Sequence, residues 1–264
     1  MNTSGINYEK NFWCIKNMRP EKYNLESEKY HKTEYTKVIT PSSSLTKYIS
    51  LSKIKLLPKE EIELISSKEE LALFCIKGCV SILIKEDEYK LEKYDVIYIP
   101  LNEPFIIRNN GEEYAKAIVI SALCDKKYEV KLFNFNDLKM DNSSTKLKRL
   151  KGGRLVYFCI GPEINASKII LGLTIFQPYA YSFPPHNHFD QEEIYLSLKG
   201  EGRIEVYTSE SKKEFITNVA EGDIVTIPFG YYHPLYNFDE EMHFLWATAG
   251  ERYNIIQKVN IPME

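Results

Sequence analysis

The stretch from His186 to Asn237 constrains this chain more than any other. It opens with His186-Asn187-His188, reaches Glu193 after four intervening residues and Gly200 after six more, and closes with Gly222, Pro228, Gly230, His233 and Asn237. The spacing reads as a turn, a ligand-bearing strand and then a hairpin. Residues two apart in a strand point to the same side, so His186 and His188 can aim two imidazoles at one point. Glu193 starts the apolar run Ile194-Tyr195-Leu196-Ser197-Leu198 and can face that point from an adjacent position. His233 follows Asp223-Ile224-Val225-Thr226-Ile227-Pro228, a strand stopped by proline and turned by Gly230.

Three imidazoles and one carboxylate form a nitrogen and oxygen set that suits Zn, Mn, Fe, Ni or Cu, and no cysteine lies in the cluster to make a thiolate site. A lone strand-end histidine is ordinarily satisfied by hydrogen bonds. Here four of the five histidines fall in this segment and the strand after it, three of them at ligand spacing, which predicts a metal site. One divalent ion per chain is expected, Zn first, with Mn or Fe compatible.

The same residues resemble the two signature motifs of the cupin superfamily. Gly222, Pro228, Gly230, His233 and Asn237 meet the second motif at every position, and the first departs only at its opening glycine, where Ala180 stands. The resemblance implies that His186, His188, Glu193 and His233 are the metal ligands and that Asn237 is a structural position.

The chain has 264 residues, room for two domains or one large β-domain with extensions. Its 19 Tyr and 13 Phe within a 44% hydrophobic composition supply a sizeable core and lean towards strands. A net charge of -3 gives no reason to expect nucleic acid or an anionic membrane as partner. Five cysteines, an odd number, and no apolar leader after Met1 argue against a secreted disulfide framework. No apolar run approaches bilayer length, so a soluble cytoplasmic protein is expected. Cys75 and Cys79, four apart, read as reduced packing residues.

Residues 1–45 are polar and without sustained periodicity, an arm with one or two strands, in which His31 reads as solvated. A run of short β-like segments follows over 46–135. Val96-Ile97-Tyr98-Ile99-Pro100 repeats the strand-then-proline grammar of the later motif. Laying Tyr94 on Gly222 places Pro100 on Pro228, Asn102 on Gly230, Phe105 on His233 and Asn109 on Asn237. Laying Gly78 on Gly200 turns the other ligand positions into Leu64, Ser66 and Leu71. The repeat also argues that Glu60 to Phe74 is not a helix. The expected fold is all-β, two tandem cupin barrels of the double-stranded β-helix type, the first over 46–135 without metal ligands and the second over 155–264 with them. The segment 136–154 reads as a solvated linker whose basic run, Lys146 to Arg154, has a sharper reading as an anion site. His243 reads as a packed or edge residue.

A narrower resemblance covers most of the chain in order. Leu171-Gly172-Leu173-Thr174-Ile175, Tyr181 to His188, Glu192-Glu193-Ile194-Tyr195 and Val206-Tyr207-Thr208, with Arg19-Pro20, Ile39-Thr40-Pro41 and Lys47-Tyr48-Ile49-Ser50, are similar to the bicupin sugar-isomerase family. That family holds 5-deoxyglucuronate isomerase and 5-keto-4-deoxyuronate isomerase. It implies aldose–ketose interconversion of an acidic sugar, and a homo-oligomer is expected. The enediol intermediate needs an electrophile at the carbonyl oxygen and a base at the C2 proton. Glu205, Tyr195 and Tyr207 are the candidate side chains for proton transfer, and parity alone does not say whether 203, 205 and 207 face pocket or solvent. Arg203, Arg154, Lys168 and Arg252 are the candidates for the substrate carboxylate. Two other classes share the ligand set: a cupin dioxygenase using Fe or Cu, and a sugar-binding cupin without turnover.

Overall fold

The computed structural model describes residues 20–25, 32–140, 147–150, 152–161, 166–182, 185–208 and 212–250. His31, Arg252, Phe183 and Pro184 lie outside the described residues. Among those described, twenty strands and one six-residue helix make an all-β architecture. No helix is long and apolar enough to cross a membrane.

In chain order the strands before the helix are β1 (Glu21–Asn24), β2 (Glu34–Ile39), β3 (Ile49–Leu56), β4 (Glu61–Leu64), β5 (Glu69–Lys77), β6 (Val80–Ile84), β7 (Asp87–Leu91), β8 (Val96–Ile99), β9 (Phe105–Arg108), β10 (Ala115–Leu123) and β11 (Lys131–Phe133). Helix α1 (Phe135–Met140) is followed by β12 (Leu147–Leu150), β13 (Arg154–Ile160), β14 (Ile170–Phe176), β15 (Gln191–Lys199), β16 (Gly202–Tyr207), β17 (Lys213–Val219), β18 (Asp223–Ile227), β19 (Leu235–Asn237) and β20 (Met242–Gly250). They form a six-stranded sheet, β11-β8-β5-β10-β3-β2, and a seven-stranded sheet, β1-β18-β15-β20-β14-β13-β12. Two small sheets, β4-β9-β6-β7 and β17-β16-β19, complete the fold. As the sequence predicts, Glu60 to Phe74 is not a helix: it carries β4 and the first part of β5.

Side-chain alternation decides how the sheets stack. In β10, Ala117 and Val119 join the core of the first half, whereas Ile118 and Ile120 enter a central core shared by both halves. In β15, Tyr195 joins the core of the second half, whereas Ile194 and Leu196 enter the central one. The two large sheets therefore lie back to back, each with a small sheet over its other face. Burial on both faces accounts for continuously apolar strands such as Val96–Ile99, all four of them buried.

The repeat read from the sequence is visible in the backbone. Strand order β8-β5-β10-β3 in one half matches β18-β15-β20-β14 in the other. Tyr94 holds φ 75° where Gly222 holds 87°, and Asn102 holds 56° where Gly230 holds 83°. That left-handed turn strains a tyrosine far more than a glycine, so the shared geometry is imposed by the fold. Asn109 Nδ2 donates to the carbonyls of Leu56, Leu57 and Glu113, and Asn237 Nδ2 donates to those of Gln177 and Glu240. Both amides clamp the end of one strand to the loop after another.

Two buried carboxylates tie the halves together reciprocally. Glu70 accepts from the backbone N–H groups of Ser167 (2.7 Å), Lys168 (2.6 Å) and Ile169 (2.8 Å), just ahead of β14. Glu192 accepts from Lys47 (2.8 Å), Tyr48 (2.6 Å) and Ile49 (2.7 Å) at the start of β3. Each charge satisfies three donors that no strand partner reaches at that point.

Among the described residues of 1–45 the expected one or two strands form as β1, which pairs with β18 in the large sheet of the second half, and β2, which pairs with β3 in that of the first. Two segments differ from the sequence reading. The expected linker carries α1, whose Phe135 and Leu138 are buried, and β12, which extends the seven-stranded sheet through β13. The anchor is long-range: Asp95 accepts from the Phe135 N–H at 2.7 Å and from the Asn134 amide at 3.1 Å. Cys75 is a buried packing residue, as expected, but Cys79 is exposed; both are free thiols.

Candidate metal centre

The four expected ligands converge. His186 and His188 lie on an extended segment just before β15 rather than in a strand, Glu193 is the third residue of β15, and His233 lies in the loop between β18 and β19. One ligand atom from each can be chosen so that all lie within 4.8 Å of one another. The ring centroids are 4.5 Å apart for His186 and His233, 5.2 Å for His186 and His188, and 5.4 Å for His188 and His233.

Whether this set suits a cation is decided by its buried polar atoms. Glu193 Oε2 stands 3.2 Å from His188 Nε2 and 2.9 Å from His233 Nε2. None of the three atoms makes a hydrogen bond, and all are buried. His233 Nδ1 lies 2.9 Å from the Tyr231 carbonyl; a carbonyl only accepts, so Nδ1 carries the proton and Nε2 presents its lone pair. Burial, then the His233 and His188 imidazoles, push the His186 pKa well below its ordinary value, so this ring is neutral and able to ligate. Burial alone would raise the Glu193 carboxyl, but the His233 and His188 rings beside it hold it well below the usual carboxylate range. The buried nitrogens of three imidazoles and the ionised Glu193 carboxylate, directed at one point, form a donor set that suits a divalent cation.

Two backbone contacts lock the ligand segments together. Asn187 Nδ2 donates to the Gly230 carbonyl at 3.2 Å, and the Gly230 N–H donates to the His188 carbonyl at 2.6 Å. Sequence reasoning passed over Asn187; its position between two ligands, with its side chain on the opposite side of an extended segment, is the signal that marks it.

Of the other candidates, Tyr195 and Arg154 belong here. The Tyr195 ring is 5.7 Å from that of His233, edge to face. Burial, then the charge of Glu193, raise its phenol well above the ordinary value, which keeps it protonated. Arg154 lies within electrostatic reach of His186, Tyr195 and Tyr181. Burial lowers its pKa, and those tyrosines oppose the shift.

Glu205, Tyr207, Arg203 and Lys168 do not belong to the cluster. Ile204 and Val206 of β16 enter the core of the second half with Tyr195, so 203, 205 and 207 point to the outer face of the small sheet. Glu205 is paired there with Arg203 (3.2 Å) and Lys213 (2.9 Å), and Tyr207 stacks on Tyr232. Lys168 sits at the junction of the halves, its N–H on Glu70. His243 is a packed residue as expected, between Glu241 (2.8 Å) and the Tyr94 hydroxyl (3.1 Å). A cavity of about 340 Å³ between the two large sheets, lined by Lys53, Lys77, Lys93, Leu196 and Leu198 among others, shares no residue with the ligand cluster.

Comparison with known proteins matches residues 23–262 to the family described as KduI/IolB. The 4-deoxy-L-threo-5-hexosulose-uronate ketol-isomerase of Shouchella clausii (strain KSM-K16) is 23% identical over 207 residues, covering 75% of this chain and 73% of that protein. The enzyme of the same name from Bacillus licheniformis is 25% identical over 189 residues, covering 69% and 68%. Among solved structures, an IolB-like protein from Salmonella typhimurium LT2 superposes with a TM-score of 0.73 at 20% identity, covering 88% of this chain and 94% of that one. A Bacillus subtilis oxalate decarboxylase gives 0.69 at 17% identity, covering 88% and 78%. At these identities the structural neighbours, which are cupins, establish the fold alone.

Proposed function

This chain belongs to the KduI/IolB family, and on that premise we propose that it is a metal-dependent aldose–ketose isomerase of an acidic deoxy sugar. The first substrate to test is 4-deoxy-L-threo-5-hexosulose uronate (5-keto-4-deoxyuronate), because the sequence relatives carry that name; 5-deoxyglucuronate is the second. The observation that carries the reading is the convergence of His186, His188, Glu193 and His233, three of whose ligand atoms are buried without a hydrogen bond, with Arg154 and Tyr195 beside them.

A divalent ion held by the four side chains, Zn before Mn or Fe, would act as a Lewis acid at the sugar's carbonyl and neighbouring hydroxyl. Arg154 would bind the substrate carboxylate, since a guanidinium keeps its charge even where burial disfavours it. Tyr195, held as a phenol, would donate a proton or a hydrogen bond to the enediolate oxygen as charge develops there. The buried aromatic lining of the second half, Phe158 and Trp246 packed edge to face at 5.2 Å, would exclude water and strengthen both contacts.

The test is proton NMR of each sugar with the metal-loaded protein in heavy water. Ketose formation or deuterium incorporation with either sugar is expected. Oxygen consumption, or binding without exchange, would replace isomerisation with one of the other cupin chemistries.

A further inference from the structure

Thr248 is a polar group that nothing above uses. It lies on β20 directly opposite Glu193 of β15, and on its other side opposite Ile170 of β14. Directly opposed residues in antiparallel strands project to the same face with their Cβ atoms about 5 Å apart. Ile170 and Trp246 on that face belong to the core of the second half, so the Thr248 hydroxyl points inward beside the ligand carboxylate. Thr248 is 2% exposed, and Oγ1 has no hydrogen-bond partner.

The first half supplies the control. Ser121 lies opposite Leu71, the residue in the place of Glu193, and so corresponds to Thr248. Its hydroxyl donates to Glu69 Oε1 at 3.1 Å. In the second half Gln191 takes the place of Glu69, and the corresponding hydroxyl is left without a bond. A buried hydroxyl with no partner opposes folding, and the ligand-free half avoids that cost.

We propose that Thr248 is a substrate-positioning residue, whose hydroxyl hydrogen-bonds a hydroxyl or carbonyl oxygen of the acidic sugar lying against Glu193. This rests on the isomerase reading of the same site. Thr248 then sets specificity for a sugar bearing oxygen at that point, and its hydroxyl is satisfied only in the complex.

The decisive variants are Thr248→Val, which keeps the shape and removes the hydroxyl, and Thr248→Ser, which keeps the hydroxyl. Metal content, ligand-free melting temperature, KM and kcat would be measured for each, with whichever sugar the wild type turns over. Thr248→Val is expected to keep the wild-type metal content, to melt at the wild-type temperature or a few degrees above it, and to raise KM about tenfold with kcat within about threefold. Thr248→Ser should restore KM. A Val variant that melts several degrees lower would make the residue structural, and an unchanged KM would leave the hydroxyl without a ligand; either overturns the proposal while the isomerase reading stands. If the wild type turns over neither sugar, the isomerase reading fails and the proposal falls with it.

Discussion

The two halves of the molecule share a frame and differ in what fills it. The turns at Tyr94 and Gly222, the amide clamps of Asn109 and Asn237, and the reciprocal carboxylates Glu70 and Glu192 recur in both. At the ligand positions they part: Leu71 and Phe105 are buried in the apolar core of the first half, with Leu64 packed against it, where the second half places Glu193, His233 and His186. The first half shows that the frame closes without the ligand set. The second carries buried polar atoms that its own chain does not satisfy, a cost accepted for chemistry rather than for folding.

The sharpest way to break this comparison is to truncate the same repeat position twice. His233→Ala or His186→Ala should abolish metal binding and lower turnover at least about a thousandfold, the loss of several kcal/mol of charge stabilisation, with a near-wild-type circular dichroism spectrum. Phe105→Ala should do the reverse, costing about 3–5 kcal/mol of stability in denaturant unfolding while elemental analysis still finds the metal in the folded fraction. Loss of metal from Phe105→Ala, or its retention in both histidine variants, would dissolve the contrast.

Smaller effects probe the shared frame. Glu70→Gln and Glu192→Gln should each destabilise by about 1–3 kcal/mol, and by similar amounts, because each charge answers three N–H groups of the other half. Asn187→Ala should weaken metal affinity about 10–100-fold in a competition titration with a chelator, since it braces His186 and His188 against Gly230. Smallest of all, Glu205→Gln should leave turnover within about twofold, because its carboxylate is paired with Arg203 and Lys213 on the outer face of the small sheet.

What could be read from the sequence follows the physics of each signal. The ligand set was legible because imidazole and carboxylate chemistry is local to the residue and its spacing. The repeat was legible through turn residues, even where Tyr94 and Asn102 hold the left-handed backbone in place of glycine. Parity on β16 was not, because a strand between two partners shows no periodicity that tells pocket from outer face. Nor was α1, which depends on a hydrogen bond from Phe135 to Asp95, forty residues earlier. Lys168 stands out in the sequence by its charge, and in the fold its backbone N–H is engaged by a carboxylate of the other half. Arg154 lies within electrostatic reach of His186 and Tyr195, and only the register of β13 separates it from the basic run it closes.

On the proposed assignment, one half of the molecule binds metal and the other does not. The most direct test is elemental analysis of the full chain after loading with Zn and removal of excess. One equivalent per chain is expected in the wild type and none in His233→Ala; two equivalents, or one that survives the loss of His233, would overturn the assignment.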